Sequence, residues 1–348
     1  MAHAHAPHHT TSDPIAPGRL HWVLRFGAGI AVAFVLSEAM GWYPTFLAPV
    51  LVATLLANLP GSPPFKAGLS LVLVMAAAAL VAFLLPSLLR GAPQILFGAI
   101  ALIVFLAFAA MAQGRARLPA LLLLMCVATV PVIAMVQPQL AGFLPVALVR
   151  AAAVAVLVVW GAYALWPHVA PRAAAPVPAP IASPVATALM GTAIVMPLML
   201  VYLMFGLTDA LPVLVTTVLL VANLDPQRGA MHGLAMMLGN LIGGLVGVFA
   251  YALLQIAPSL ITLALITFIV AMAFGARIEK GGPKAAVGLI TCNSCLIILS
   301  SAILSGPSNS GIWIARLSQF ALACTFAIGM MGLLWRNSAR ARDLQSPA

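Results

Sequence analysis

Twelve long apolar runs, separated by short loops that carry charge, Gly or Pro, fill this chain from Trp22 to Trp335. A helix needs roughly 20 apolar residues to cross the hydrocarbon core of a bilayer. The runs lie near 22–40, 44–59, 66–85, 93–112, 118–136, 143–166, 187–207, 210–224, 230–255, 258–275, 284–304 and 312–335. The fold they predict is all-α, a polytopic membrane protein of about twelve transmembrane helices. Composition removes the alternatives. Only 6% of the 348 residues are charged, against about 25% in a soluble domain, and mean hydropathy is +1.14. A cytosolic enzyme, a disordered chain and a disulfide-stapled secreted module are all excluded. The net charge of +10 does not point to nucleic acid, because a basic patch needs density and these cations are scattered.

The cations act as topology signals instead. With the N-terminus inside, the cytoplasmic side holds Arg19, Arg25, Lys66, Arg115, Arg117, Arg172, Arg228, Arg277, Lys280, Lys284, Arg336, Arg340 and Arg342, and the outer loops hold only Arg90. That asymmetry orients the chain with both termini cytoplasmic. The first run has no short apolar core followed by a small-residue cleavage site, so it reads as an uncleaved span. Residues 1–20 precede it as a disordered cytoplasmic tail. Its His3, His5, His8 and His9 have no acidic or Cys partners after them, and no metal site is assigned there.

The Pro- and Ala-rich stretch 167–185 reads as an extended linker. It separates a first six-helix membrane repeat, 21–166, from a second, 186–336, and a short cytoplasmic tail, 337–348, ends the chain. The halves look related. Ala57-Asn58-Leu59 and Ala222-Asn223-Leu224 are displaced by 165 residues, as are Gly41 and Gly206, and Gly68-Leu69 and Gly233-Leu234. Arg150 and Arg316 are displaced by 166. An even number of spans per half makes such a repeat parallel, an architecture shared by many transporters.

Candidate site residues follow from the few polar groups that the spans contain. The second span of each half is short, and Pro44, Pro49 and Pro212 interrupt it. Short, Pro-broken segments at matching positions point to a transport site, because freed backbone groups can face a cavity; a packing kink is the alternative. Asn58 and Asn223 end these two spans. Arg150 and Arg316 lie one to two turns inside the last span of each half, where a cation is costly unless it faces protein or water. Glu38 and Asp209 are the acids left on the outer side. Two readings are open: structural ion pairs between these Arg and acid residues, or an anion site in which the guanidinium binds a carboxylate bidentately and Glu38 or Asp209 couples release to protons. The eleventh span is polar, with Thr291, Cys292, Asn293, Ser294, Cys295, Ser300 and Ser301. A cavity-lining face is plausible there, with Thr291 and Asn293 as substrate-binding candidates. Cys292 and Cys295 match C-x-x-C inside a membrane helix, where small packing residues are the sensible reading. Gly239, Gly243 and Gly247 form a small-xxx-small face for close helix packing.

The basic start of the first span (Arg19-Leu20 through Arg25-Phe26-Gly27), the short Pro-bearing second span, Lys66-Ala67-Gly68-Leu69, Arg228–Leu234 and the Gly-rich helix Gly239–Gly247 carry a resemblance. Over residues 20–336 the chain resembles the fusaric-acid-resistance, or aromatic acid exporter, superfamily of bacterial inner-membrane proteins. The resemblance implies proton-driven efflux of aromatic carboxylates. It also implies a periplasmic membrane-fusion adaptor and an outer-membrane channel as partners, with a homo-oligomer possible. Many members carry large cytoplasmic domains after each six-span block, which the linker and short tail replace here. This looks like a compact, membrane-only branch. An anion channel of similar fold is the alternative function. A membrane enzyme is a third class, but the chain lacks D-x-x-D and H-x-x-x-x-D; no catalytic residue and no cofactor is assigned.

Overall fold

In the computed structural model, residues 16–114, 117–168, 184–206 and 229–306 are described, together with 214, 215, 217, 218, 221, 222, 318, 325 and 329. They are helical throughout, with no strand among the described residues. The helices are α1 (Ala16–Ala39), α2 (Leu47–Asn58), α3 (Phe65–Leu89), α4 (Pro93–Ala112), α5 (Arg117–Val136), α6 (Phe143–Leu165), α7 (Pro184–Phe205), α8 (Gly229–Ile256), α9 (Leu260–Glu279) and α10 (Pro283–Ser305). Among the described residues nine are long and apolar enough to cross a bilayer, and α2 is the shorter tenth. The protein is a polytopic membrane protein. Ten of the twelve expected spans correspond to these helices. Leu214, Val215, Thr217, Val218, Val221 and Ala222 are helical within the eighth, and the twelfth lies almost wholly outside the described residues.

Two expectations are corrected. Helix α1 starts at Ala16, so Arg19 belongs to it rather than to the expected tail, and Arg25 lies in the first span as expected. Pro44 and Pro49 do not break the second span. Pro44 precedes α2, and Pro49 lies in its first turn, where backbone N–H groups have no intrahelical acceptor to lose. The short length is nonetheless present. Twelve residues rise about 18 Å, well under the roughly 30 Å hydrocarbon thickness, and every residue from Leu47 to Leu56 is buried. The body of this helix is therefore enclosed by its neighbours on every side, while the loops at its two ends are partly exposed.

The most buried long helices are α5 and α10. The pairing of helices repeats. α3 packs on α5 as α8 packs on α10, and α1 packs on α9 as α7 packs on α4. Helices starting at 65, 93 and 117 have counterparts starting at 229, 260 and 283, close to the displacement of the sequence matches. Gly41 and Gly206 end α1 and α7 with the same left-handed backbone, φ +61 at each, a conformation that favours Gly. The α1–α9 and α7–α4 contacts are also alike in kind: Gly27 lies against Met272 and Phe268, and Gly191 against Phe108.

The Gly stripe of α8 faces α10. A methyl group at Gly247 would stand 2.7 Å from the Cys295 carbonyl oxygen, and one at Gly239 would stand 2.7 Å from Thr291 Oγ1. One at Gly243 would press still harder, into the Thr291 backbone. The Ser294 hydroxyl donates to the Asn240 carbonyl across this contact at 2.7 Å.

Candidate functional site

Alternating helix directions bring Arg19, Lys66, Arg117, Arg277, Lys280 and Lys284 to one end of the bundle and Arg90 to the other. These are called the basic end and the far end below. The strongest polar constellation is at the far end, where the α1–α2 loop folds back into the bundle. Trp42 N–H donates to the Ser37 carbonyl and Gly41 N–H to the Glu38 carbonyl, so the chain reverses within a few residues. That reversal sets Trp42 beneath the Arg150 guanidinium of α6, whose central carbon lies 4.8 Å from the ring centroid. Arg150 is half-buried, seven residues or about 10 Å into its helix. A guanidinium over an aromatic face is stabilised by the ring quadrupole, by about 0.5–2 kcal/mol depending on desolvation. The ring neutralises no charge.

Glu38 stands at the same end. Thr45 stands beside its carboxylate, and the Thr45 and Ser300 hydroxyls share a 2.6 Å bond. One Glu38 oxygen, Oε1, is buried without a hydrogen-bond partner among the described residues. This chain of groups ties α1, the α1–α2 loop and α10 together, so it crosses between the two halves. Arg150 and Glu38 do not form an ion pair. Among the described residues the salt bridge is Arg19 to Glu279, 3.0 Å at the basic end. An ion pair of Arg150 with Glu38 is therefore not formed, and the other pairings that the sequence allows involve residues outside the described ones. Arg316, Asp209, Asn223 and Pro212, their expected counterparts, lie outside the described residues.

The other candidates are not gathered with Arg150. Asn58 is at the basic end of α2, where its amide nitrogen donates to the Thr54 carbonyl at 2.7 Å. Thr291 is buried, donates to the Val287 carbonyl and lies against Gly239 and Gly243. Thr291 and Ser294 thus sit in the α8–α10 contact. Asn293 is buried, and its Oδ1 has no hydrogen-bond partner among the described residues. A separate narrow cavity of about 10 Å³, close to the room that one water needs, lies between α2, α3, α5 and α6 among Val50, Thr54, Leu71, Leu122, Met125 and Ala155. The Thr54 hydroxyl in its wall donates to the Val50 carbonyl.

Sequence reasoning missed Trp42 and Thr45, because nothing in the pattern indicates that a loop dips between helices. It also counted Arg25 as a topology charge. Arg25 is 1% exposed, its Nη1 donates to the Trp166 carbonyl at 3.0 Å, and its guanidinium lies 4.2 Å from the centroid of the Tyr163 ring.

Residues 22–161 are similar to a family described as Protein of unknown function (DUF2955). The match begins in α1 and ends in α6, so it covers the first six helices and stops before the linker. No curated protein matches the chain. No solved structure matches it.

Proposed function

We propose that this protein is a multi-pass transporter of the bacterial inner membrane that exports small organic anions, aromatic carboxylates first among them, with proton coupling. One observation carries the reading: among the described residues, Arg150 is held inside the bundle on the Trp42 ring without a carboxylate partner, while Glu38 nearby keeps a buried oxygen without a hydrogen-bond partner. A guanidinium in such a place is a bidentate receptor for a planar carboxylate. The Trp42 ring holds it in position for an anion that arrives from the membrane interior. Protonation of Glu38 beside Thr45 supplies a switch between α1 and α10, that is, between the proposed repeats. The repeated helix pairing and the matched glycines support two parallel six-helix repeats moving against each other about a central site. The cation distribution supports cytoplasmic termini. Resemblance to the aromatic acid exporters adds the periplasmic adaptor and outer-membrane channel as partners.

The test is export of benzoate by cells carrying the parent protein, Arg150→Gln, Trp42→Ala or Glu38→Gln, with membrane content measured beside it. Arg150→Gln is expected to lose protection while remaining in the membrane, and Trp42→Ala to lose part of it. If Arg150→Gln protects as well as the parent, the anion site is wrong. Glu38→Gln separates carrier from channel: a carrier loses proton-linked export, whereas a channel continues to conduct.

A further inference from the structure

At the basic end, opposite Arg150, α1 presents two groups that the transport reading does not use. His21 and Arg25 are four residues apart and so share one face of the helix. That face meets the end of α6. Tyr163 lies beneath the guanidinium, the Trp166 carbonyl accepts from Nη1, and the His168 ring stands edge-on to His21 at 4.8 Å. Two buried nitrogens there, Arg25 Nη2 and His21 Nδ1, have no hydrogen-bond partner among the described residues. Arg25 is among the largest fully buried side chains of the described residues.

A guanidinium cannot escape burial by losing its proton. Burying it costs several kcal/mol unless an opposite charge meets it. One carbonyl and one ring satisfy part of its fork and none of its charge. The described acids are engaged elsewhere: Glu279 pairs with Arg19, and Glu38 is at the far end. We propose that Arg25, with His21 beside it, binds a carboxylate or phosphate oxyanion at the basic end of the bundle. The free Nη2 and a proton on His21 Nδ1 donate to the oxyanion, and Tyr163 and Trp166 hold the guanidinium from behind. The oxyanion comes either from a small solute or from a lipid headgroup, and both present the same acceptor oxygens. The proposal does not rest on the transport reading, because it concerns a different end of the molecule and is read by binding.

The full-length protein, delipidated in an uncharged maltoside detergent, is unfolded thermally while sodium phosphate, sodium benzoate or, at matched ionic strength, sodium chloride is titrated in. A second arm adds phosphatidylglycerol or uncharged diacylglycerol. A saturable rise in Tm with phosphate or benzoate but not chloride identifies a solute site. A rise with phosphatidylglycerol alone identifies a headgroup site. In either case Arg25→Lys is expected to bind about tenfold more weakly, because a point charge replaces the fork, and His21→Asn to bind several-fold more weakly. His21→Asn leaves the buried Arg25 guanidinium and its packing in place, so it keeps the test decisive if the Arg25 variants do not fold. The proposal is overturned if neither arm stabilises the parent, or if His21→Asn and Arg25→Lys respond as the parent does.

Discussion

The α8–α10 contact can be tested with one methyl group. Gly243→Ala drives a carbon into the Thr291 backbone, and the helices must separate before it fits. Gly247→Ala is milder: at 2.7 Å from the Cys295 oxygen the facing chain must retreat by a few tenths of an ångström. Overpacking of this kind costs about 1–3 kcal/mol. Separation at Gly243 also stretches the Ser294–Asn240 bond, for about 0.5–1.5 kcal/mol more. Against this, Ala favours the helix over Gly by about 0.5–1 kcal/mol. The net expectation is a loss of about 1–3 kcal/mol at Gly243 and about 1 kcal/mol or less at Gly247. Gly98→Ala is the control, since a methyl there meets nothing within 4 Å and only the helix term remains. Thermal unfolding in detergent should rank stability as Gly98→Ala, then Gly247→Ala, then Gly243→Ala. If Gly243→Ala is as stable as Gly98→Ala, the backbones do not approach along this stripe and the assigned pairing of α8 with α10 is wrong.

The Thr45–Ser300 bond should appear as an interaction energy. Thr45→Val and Ser300→Ala are each expected to destabilise by about 0.5–1.5 kcal/mol, and the double variant by less than their total; strict additivity in unfolding measurements would mean that the hydroxyls do not meet. Cys126, Cys292 and Cys295 are buried to within about 1%, so in a Cys324→Ser background N-ethylmaleimide should label none of them until the protein is unfolded in SDS. Mass spectrometry showing rapid labelling of the folded protein at Cys292 would remove α10 from the bundle interior.

Counting charges made Arg150 visible and hid Arg25, and the difference is physical. Arg150 lies about two turns inside its span, so its cost in a membrane helix is legible from position alone. Arg25 stands just after Trp22, where the apolar run begins, so its charge passes as a topology signal; α1 starts earlier, at Ala16, and the packing of Tyr163 and Trp166 over Arg25 shows that it is buried. The spans themselves were legible because the bilayer fixes their length and composition, and ten of them agree with helices to within a few residues. The meaning of the polar face of the eleventh span was not legible. Thr291 and Ser294 would give the same pattern in a cavity wall as in a close helix pair. The choice is made by a second stripe, the glycines of α8, placed opposite by the fold. The prolines of the second span show the same limit. Proline in sequence marks a break or a beginning, and Pro49 marks a beginning because the helix starts two residues before it. In an apolar chain a residue's chemistry is therefore decided by what the fold sets against it. For Arg150 that is the Trp42 ring, for Arg25 the Tyr163 ring and the Trp166 carbonyl, and for Thr291 and Ser294 the glycines of a neighbouring helix.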